Sequence, residues 1–234
     1  MTSVIDNPGK VAEYIYSCRQ MGIKILPPDI NHGYSSFSVD NGSIRYGLAA
    51  IKSIGRPVIK EIVAERKANG EFKNLKDFIE RMSGKDINKR TIENFIKSGA
   101  FDELGGTRKQ FMVIYVQILD QVNREKKNSM TGQMSLFDIV GEEQKSEFDI
   151  PLPNVGEYEK STKLAFEKEV LGIYLSGHPM EEYEEQWRKG ISKTTQDFQF
   201  DEELGFSRVS DGAAEIIGGI IASKTIKYIR PCVS

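Results

Sequence analysis

Apolar positions recur at helical spacing along most of the chain, and they set the first expectations. Val11, Tyr14, Ile15, Cys18 and Met21 share one face of a segment that Pro8 opens and Gly22 stops. A short apolar run, Ile23 to Ile30, is then broken by Pro27 and Pro28. The stretch from Ser36 to Ile44 predicts a short extended pair, because Asp40-Asn41-Gly42 is a turn signal. From Gly47 to Val122 the pattern is helical throughout. A short helix closes at Ala49, Ala50 and Ile51. Pro57 opens the next, with Val58, Ile59, Ile62 and Val63 inward and Lys60, Glu61 and Arg66 outward. Leu75, Phe78, Ile79 and Met82 form a third face, and Ile92, Phe95 and Ile96 a fourth. Thr107 caps a fifth, whose buried stripe is Phe111, Ile114, Ile118, Leu119 and Val122. Short connections carrying Gly55, Gly70, Gly84, Gly99, Gly105 and Gly106 predict a compact helical bundle, so the fold class is mainly α.

From Arg124 to about Tyr158 the periodicity fails. Polar and acidic residues dominate, and Pro151 and Pro153 add to the reading of a linker or extended arm. A helix resumes near Lys160 with Leu164, Glu167, Lys168 and Leu171, and Gly172 stops it; another begins at Pro179 and runs through Trp187. Ala214 to Ala222 is β-branched and interrupted by Gly218 and Gly219, and Thr225 to Ile229 alternates, which predicts two strands. No repeat of fixed period is present.

Composition narrows the function classes. The 234 residues are 39% apolar and 28% charged, the balance of a soluble globular chain. No run of about 18 apolar residues exists to span a bilayer, and the first ten residues lack a signal-peptide layout. Cys18 and Cys232 lie too far apart for a disulfide scaffold or a cysteine zinc site, and His32 and His178 cannot build a His-rich metal site. These features predict a cytoplasmic chain with no membrane partner, no metal and no cofactor of its own. His178, ahead of Pro179 at a loop-to-helix junction, reads as structural. The net charge of −2 conceals an asymmetry: Arg45 to Asn128 holds 18 Lys and Arg against 11 Asp and Glu, and the remainder is acidic. A basic middle between acidic flanks fits a nucleic-acid surface on one part of the chain; an ordinary solvated helical surface fits it equally.

Two short segments carry candidate chemistry. Leu48 to Ile59 reads as helix, tight turn, helix, and a second such unit spans Phe95 to Asp102. A tight turn exposes consecutive backbone N–H groups, and the following helix adds its positive end, so the pair suits phosphate rather than base edges. The candidate DNA contacts are Lys52, Ser53, Ile54, Gly55 and Arg56 at the first turn and Lys97, Ser98, Gly99, Arg108 and Lys109 at the second. The competing arrangement is a plain αα turn ended by Gly. Gln133-Met134-Ser135-Leu136-Phe137 sets two large apolar residues in a polar stretch, with Gln133 three positions ahead of Leu136. An extended peptide of this kind can seat Leu136 and Phe137 in a partner's apolar pocket while Gln133 hydrogen-bonds at the rim. Alternatively the pair pins the linker to its own domain.

Taken in order, these features resemble the alpha subunit of bacterial DNA polymerase III, a C-family replicative polymerase. The resemblance runs from about Val4 to Ile229. It is carried by Gly9 to Ile15, Gly22 to Asn31, Tyr46 to Lys52, Ser98 to Asp102 and Glu167 to Pro179. It implies a C-terminal fragment without the palm: residues 1–44 as the end of the fingers, 45–125 as a tandem helix-hairpin-helix domain on duplex DNA, and 126–160 as a linker holding the sliding-clamp (beta subunit) peptide Gln133 to Phe137. Residues 161–205 would then be a helical connector and 206–234 the incomplete start of an OB domain. The parent would be a DNA-directed DNA polymerase using Mg²⁺ and meeting other replisome subunits, whereas this fragment would hold no catalytic residue. In this sequence the first hairpin carries Ser53 where such turns often carry Gly. The alternatives are an error-prone paralogue of the same family and a stand-alone helix-hairpin-helix adaptor.

Overall fold

The computed structural model describes residues 2–5, 7–130, 150–201, 205–221 and 224–226. The chain divides into two units, Met1–Gly177 and His178–Ser234. In the first unit, α1 (Pro8–Gln20) starts where Asn7 caps it, its side chain accepting from the Lys10 N–H at 3.1 Å. The apolar stripe buries Val11, Ile15 and Cys18 as the spacing predicts, whereas Tyr14 and Met21 remain exposed. Strand β1 (Ile25–Leu26) then pairs in parallel with β3 (Ser43–Arg45), which pairs antiparallel with β2 (Ser38–Asp40). The predicted turn joins β2 to β3. Both central residues, Asn41 and Gly42, have positive φ, so it is a two-residue hairpin whose twist matches the strands.

The helical region follows the predicted faces closely. A single 3₁₀ turn, Leu48–Ala50, leads to α2 (Arg56–Asn69), α3 (Leu75–Met82), α4 (Lys89–Ser98) and α5 (Arg108–Met130). Asn74 caps α3 and Asn88 caps α4, each accepting an N–H three residues on. Thr107 and Gln110 form a capping box on α5: the Gln110 N–H donates to the Thr107 hydroxyl at 3.2 Å, and the Thr107 N–H donates to the Gln110 side chain at 2.9 Å. At the centre Phe78 is fully buried, with its ring 5.0 Å from that of Phe72, 6.1 Å from Phe95 and 4.9 Å from Phe101, all near edge-to-face.

Three expectations change. Arg66 is buried rather than outward: its guanidinium donates to the Ile30 carbonyl at 2.7 Å and lies 4.9 Å from the Tyr34 ring centre. Burial lowers its pKa, so these partners hold a charge that has lost water. The helix beginning at Lys160, α6 (Lys160–Leu171), belongs to the first unit and packs on α4. The first half of the expected linker also shortens, because α5 continues to Met130.

A charged knot fastens α2 to α3. The Glu65 carboxylate accepts from Lys85, from the Asn69 amide at 2.6 Å and from Arg81 at 3.2 Å, while Arg81 lies 4.3 Å over the Phe72 ring. The Lys85 hydrogen bond above all, then that of Asn69, holds the Glu65 pKa down to about 2 from 4.5. A carboxylate whose folded pKa is depressed stabilises the fold above its unfolded pKa, and that contribution is lost as pH falls from about 4.5 towards 2. Wild type is therefore expected to be more stable than Glu65→Gln at pH 6 in urea titrations, with the difference largely gone by pH 2.5. A difference that does not change with pH would contradict the role given to the knot.

The second unit contains a 3₁₀ turn at Glu181–Tyr183, α7 (Glu184–Gly190) and a two-stranded ladder of β4 (Phe200–Asp201) and β5 (Phe206–Ser207). The strand expected at Ala214 to Ala222 is corrected: residues 213–221 form no ladder. Ile216 takes its bond from Ser192, whose N–H donates to the Ile216 carbonyl, while Ile217, Ile220 and Ile221 stay exposed. A β-branched run becomes a strand only beside a partner, and β4 and β5 pair with each other instead. Most of the second expected strand, Thr225 to Ile229, lies outside the described residues, and nothing described corresponds to an OB barrel.

Candidate nucleic-acid interface

The first turn is built from Ile51 to Gly55. Ile51 and Ile54 are buried and anchor it in the core. Between them Ser53 takes the left-handed conformation at φ 64°, whereas Gly55 sits in extended backbone at φ −74°. The residue that bears the left-handed strain is thus Ser53, and Gly55 is the N-cap of α2. Lys52 is tied down three ways. Its N–H donates to the Val170 carbonyl at 2.8 Å, its ammonium donates to the Glu169 carbonyl at 2.7 Å, and its own carbonyl accepts from Asn94 at 2.8 Å. The turn is therefore held against the C-terminal end of α6 and the side of α4. Beyond it, the N-terminus of α2 has no side-chain cap and no acidic residue in its first turn, and Arg56 stands at its first position, exposed. That end presents helix-dipole positive charge, and its own first turn supplies no carboxylate to neutralise it.

The second turn differs. Gly99 ends α4 at φ 82°, and a Cβ there would lie 2.2 Å from the Arg108 guanidinium and 2.8 Å from Asp102, so glycine is required on both counts. Ser98 is fully buried, its hydroxyl donating to the Phe95 carbonyl at 3.0 Å. Arg108 is also buried. It forms a two-pronged pair with Asp102 at 3.0 and 2.8 Å, donates to the Lys97 carbonyl at 3.2 Å and lies 3.6 Å from Glu167. Burial is the largest single influence and works against its charge, but the Asp102 hydrogen bonds together with the negative charges of Asp102, Glu167 and Glu157 outweigh it and raise its pKa. Lys97 pairs with Glu169 at 2.8 Å and with Glu93 at 2.9 Å, over the ring of Phe166.

The N-terminus of α5 is closed as well. The Glu157 carboxylate accepts from the Arg108 and Lys109 N–H groups, both at 3.3 Å, and Lys109 faces the Tyr158 ring. The Thr107 hydroxyl donates to the Gly156 carbonyl at 2.6 Å, and Gln110 donates to the Pro153 carbonyl at 2.9 Å. Residues 150–158 thus lie as a strap along the start of α5, and a carboxylate occupies the place where the sequence puts a phosphate.

The two predicted turns therefore separate. At the first, Lys52 and Arg56 are exposed beside an open helix end. At the second, the Ser98 and Arg108 side chains are buried, with Ser98 bonded to the Phe95 carbonyl and Arg108 paired with Asp102 and Glu167. Sequence reasoning missed Asn94, Glu157 and Glu167. The Gln110 partner three residues after Thr107 was a visible signal for the cap, but no local signal marks Glu157 as its third member. Gln133, Met134, Ser135, Leu136 and Phe137 lie outside the described residues. Among the described residues no His, Cys, Asp and Glu cluster could hold a metal ion, and no helix is long and apolar enough to cross a membrane.

Residues 22–111, which contain both turns, match the helix-hairpin-helix motif family. Three relatives called DNA polymerase III subunit alpha show how far the likeness extends. That of Mycobacterium leprae is 38% identical over 180 residues, 77% of this chain and 15% of the relative. That of Vibrio cholerae is 37% identical over 193 residues, 82% and 17%. That of Escherichia coli K12 is 38% identical over 184 residues, 78% and 16%. The chain spans about a sixth of the length of the curated relatives it matches. Identity at this level over more than three-quarters of the chain, together with the helix-hairpin-helix match, shows that the chain belongs to the DNA polymerase III subunit alpha family.

Proposed function

We propose that this chain is the duplex-holding and clamp-tethering part of a DNA-directed DNA polymerase. The observation that carries the reading is the uncapped N-terminus of α2 beside Lys52 and Arg56, inside a region that matches the helix-hairpin-helix motif. Such an end grips phosphates without reading bases. The first turn makes the main contact, and Lys97 and Lys109 contribute charge from the second. Gln133 to Phe137 is the peptide that docks in the sliding clamp, so that two weak attachments act together through effective concentration. Nucleotidyl transfer, with its Mg²⁺, belongs in this reading to the palm of the whole polymerase, and other replisome subunits are further partners. A stand-alone helix-hairpin-helix adaptor is disfavoured by identity over 180 to 193 residues, well beyond the stretch 22–111 that the motif covers.

The test is duplex binding as a function of salt. With about four phosphates neutralised, log affinity is expected to fall against log salt with a slope near −3.6. Arg56→Ala should make the slope shallower by about 0.9, the share of one phosphate. A slope near zero, or a marked preference for one duplex sequence, would overturn the reading.

A further inference from the structure

An apolar cleft of about 460 Å³ opens between one stripe of α2 and the loop at Tyr34 to Ser36. Ile59, Val63 and Ala64 line it from the helix, the Tyr34 ring stands opposite, and Lys60 and Lys67 flank it. Its walls are fixed in place. The Leu48 N–H donates to the Tyr34 carbonyl at 2.8 Å and the Ala49 N–H to the Ser35 carbonyl at 3.1 Å. Behind the loop, Gly47 is packed so closely that a Cβ would lie 2.8 Å from the Ser35 carbonyl oxygen. Arg66, itself pinned to Ile30, backs the Tyr34 ring at 4.9 Å. The cleft is therefore already formed and within the size range of ligand sites.

Charge decides what fits it. Lys60 and Lys67 are both exposed, and among the described residues neither has an acidic partner. Seven residues apart on α2, they stand about 10 Å from each other along the helix, one towards each end of the cleft. We infer that this cleft receives an acidic peptide of a partner protein, with a large apolar side chain seated on Ile59, Val63 and Ala64 and carboxylates on either side facing Lys60 and Lys67. Single-stranded nucleic acid fits less well. Bases stack on open aromatic faces, whereas this floor is aliphatic and the Tyr34 ring already has Arg66 against it. The surface lies outside the hairpin turns, so the inference does not depend on their role.

The test uses the whole chain and a fluorescein-labelled hexapeptide with a Leu-Phe centre and two acidic residues on each side, followed by anisotropy. Saturable binding is expected. Lys60→Glu with Lys67→Glu should weaken it about tenfold or more, as two charge pairs become repulsions, and should favour the same peptide with lysine flanks. Ala64→Trp, at an exposed position inside the cleft, should block the peptide while leaving the melting temperature and duplex binding unchanged. Absence of saturable binding at millimolar peptide, or equal binding by the charge-reversed variant, would overturn the inference. So would an oligo-dT probe that binds the cleft and is lost with Ala64→Trp while the acidic peptide is not bound.

Discussion

Glu167→Ala is expected to cost about 3–5 kcal/mol of stability, the loss typical of breaking a buried ion pair from one side. The carboxylate is 1% exposed and serves two purposes at once. One oxygen accepts the Leu175 and Ser176 N–H groups at 2.8 and 2.9 Å, which shapes the chain as it leaves α6. The other lies 3.6 Å from Arg108, itself 5% exposed. Alanine would leave two backbone donors without their acceptor and would leave the guanidinium with Asp102, which is 39% exposed, as its remaining paired carboxylate. Glu167→Gln keeps an acceptor for the N–H groups and removes the charge, so its cost should be smaller, about 1–3 kcal/mol. Urea titrations at pH 7 measure both, and the midpoint should shift with the slope unchanged. A loss under 1 kcal/mol for alanine would show that the cluster relaxes or takes up water and that it does not lock α6 to the hairpins. Arg108→Ala should lower stability in the same way yet leave the salt slope of duplex binding alone, which separates its interior role from that of Arg56.

The same cluster shows which parts of this molecule a sequence displays. Helix faces were legible because burial repeats with the helical period: Phe78, Ile92, Phe95 and Phe111 all point inward as their spacing demands. The β2–β3 hairpin was legible from Asp40-Asn41-Gly42, because few residues tolerate the left-handed φ that both turn positions need. What escaped was polar and long-range. Arg66 and Arg108 read as surface cations, since periodicity assigns charge to the outside. Their burial depends on acceptors that lie elsewhere in the chain, the Ile30 carbonyl for one and Asp102 with Glu167 for the other. Glu157 read as part of a featureless arm, yet it caps α5 from a segment far along the chain. The Ile-rich stretch near Ile216 failed for the opposite reason: its local preference is strong, but no described strand lies beside it. At the candidate interface the turns themselves were visible, whereas the difference between an open and an occupied helix end appears only once the strap at 150–158 is in place.

Changing Leu136 and Phe137 together to alanine is expected to weaken sliding-clamp binding by about 10² to 10⁴-fold. The estimate follows from burial. Seating one large apolar side chain is worth roughly 1.5–3 kcal/mol, so removing two gives about 3–6 kcal/mol as an upper range. Gln133→Ala should cost about 1 kcal/mol, the net value of one hydrogen bond at a wet rim. The competing arrangement, in which the pair anchors the linker to its own bundle, places the damage elsewhere: the melting temperature of the free chain would fall and clamp affinity would hold. Titration against the clamp and thermal melting of the same variant therefore answer the question together. Lost affinity with unchanged melting supports the tether. Unchanged affinity with a lower melting temperature would leave Leu136 and Phe137 as an internal anchor. The duplex measurement then becomes the sharper test of retention, because a chain without its tether must hold DNA through its hairpin contacts alone, and its affinity on clamp-loaded and clamp-free duplex should be the same.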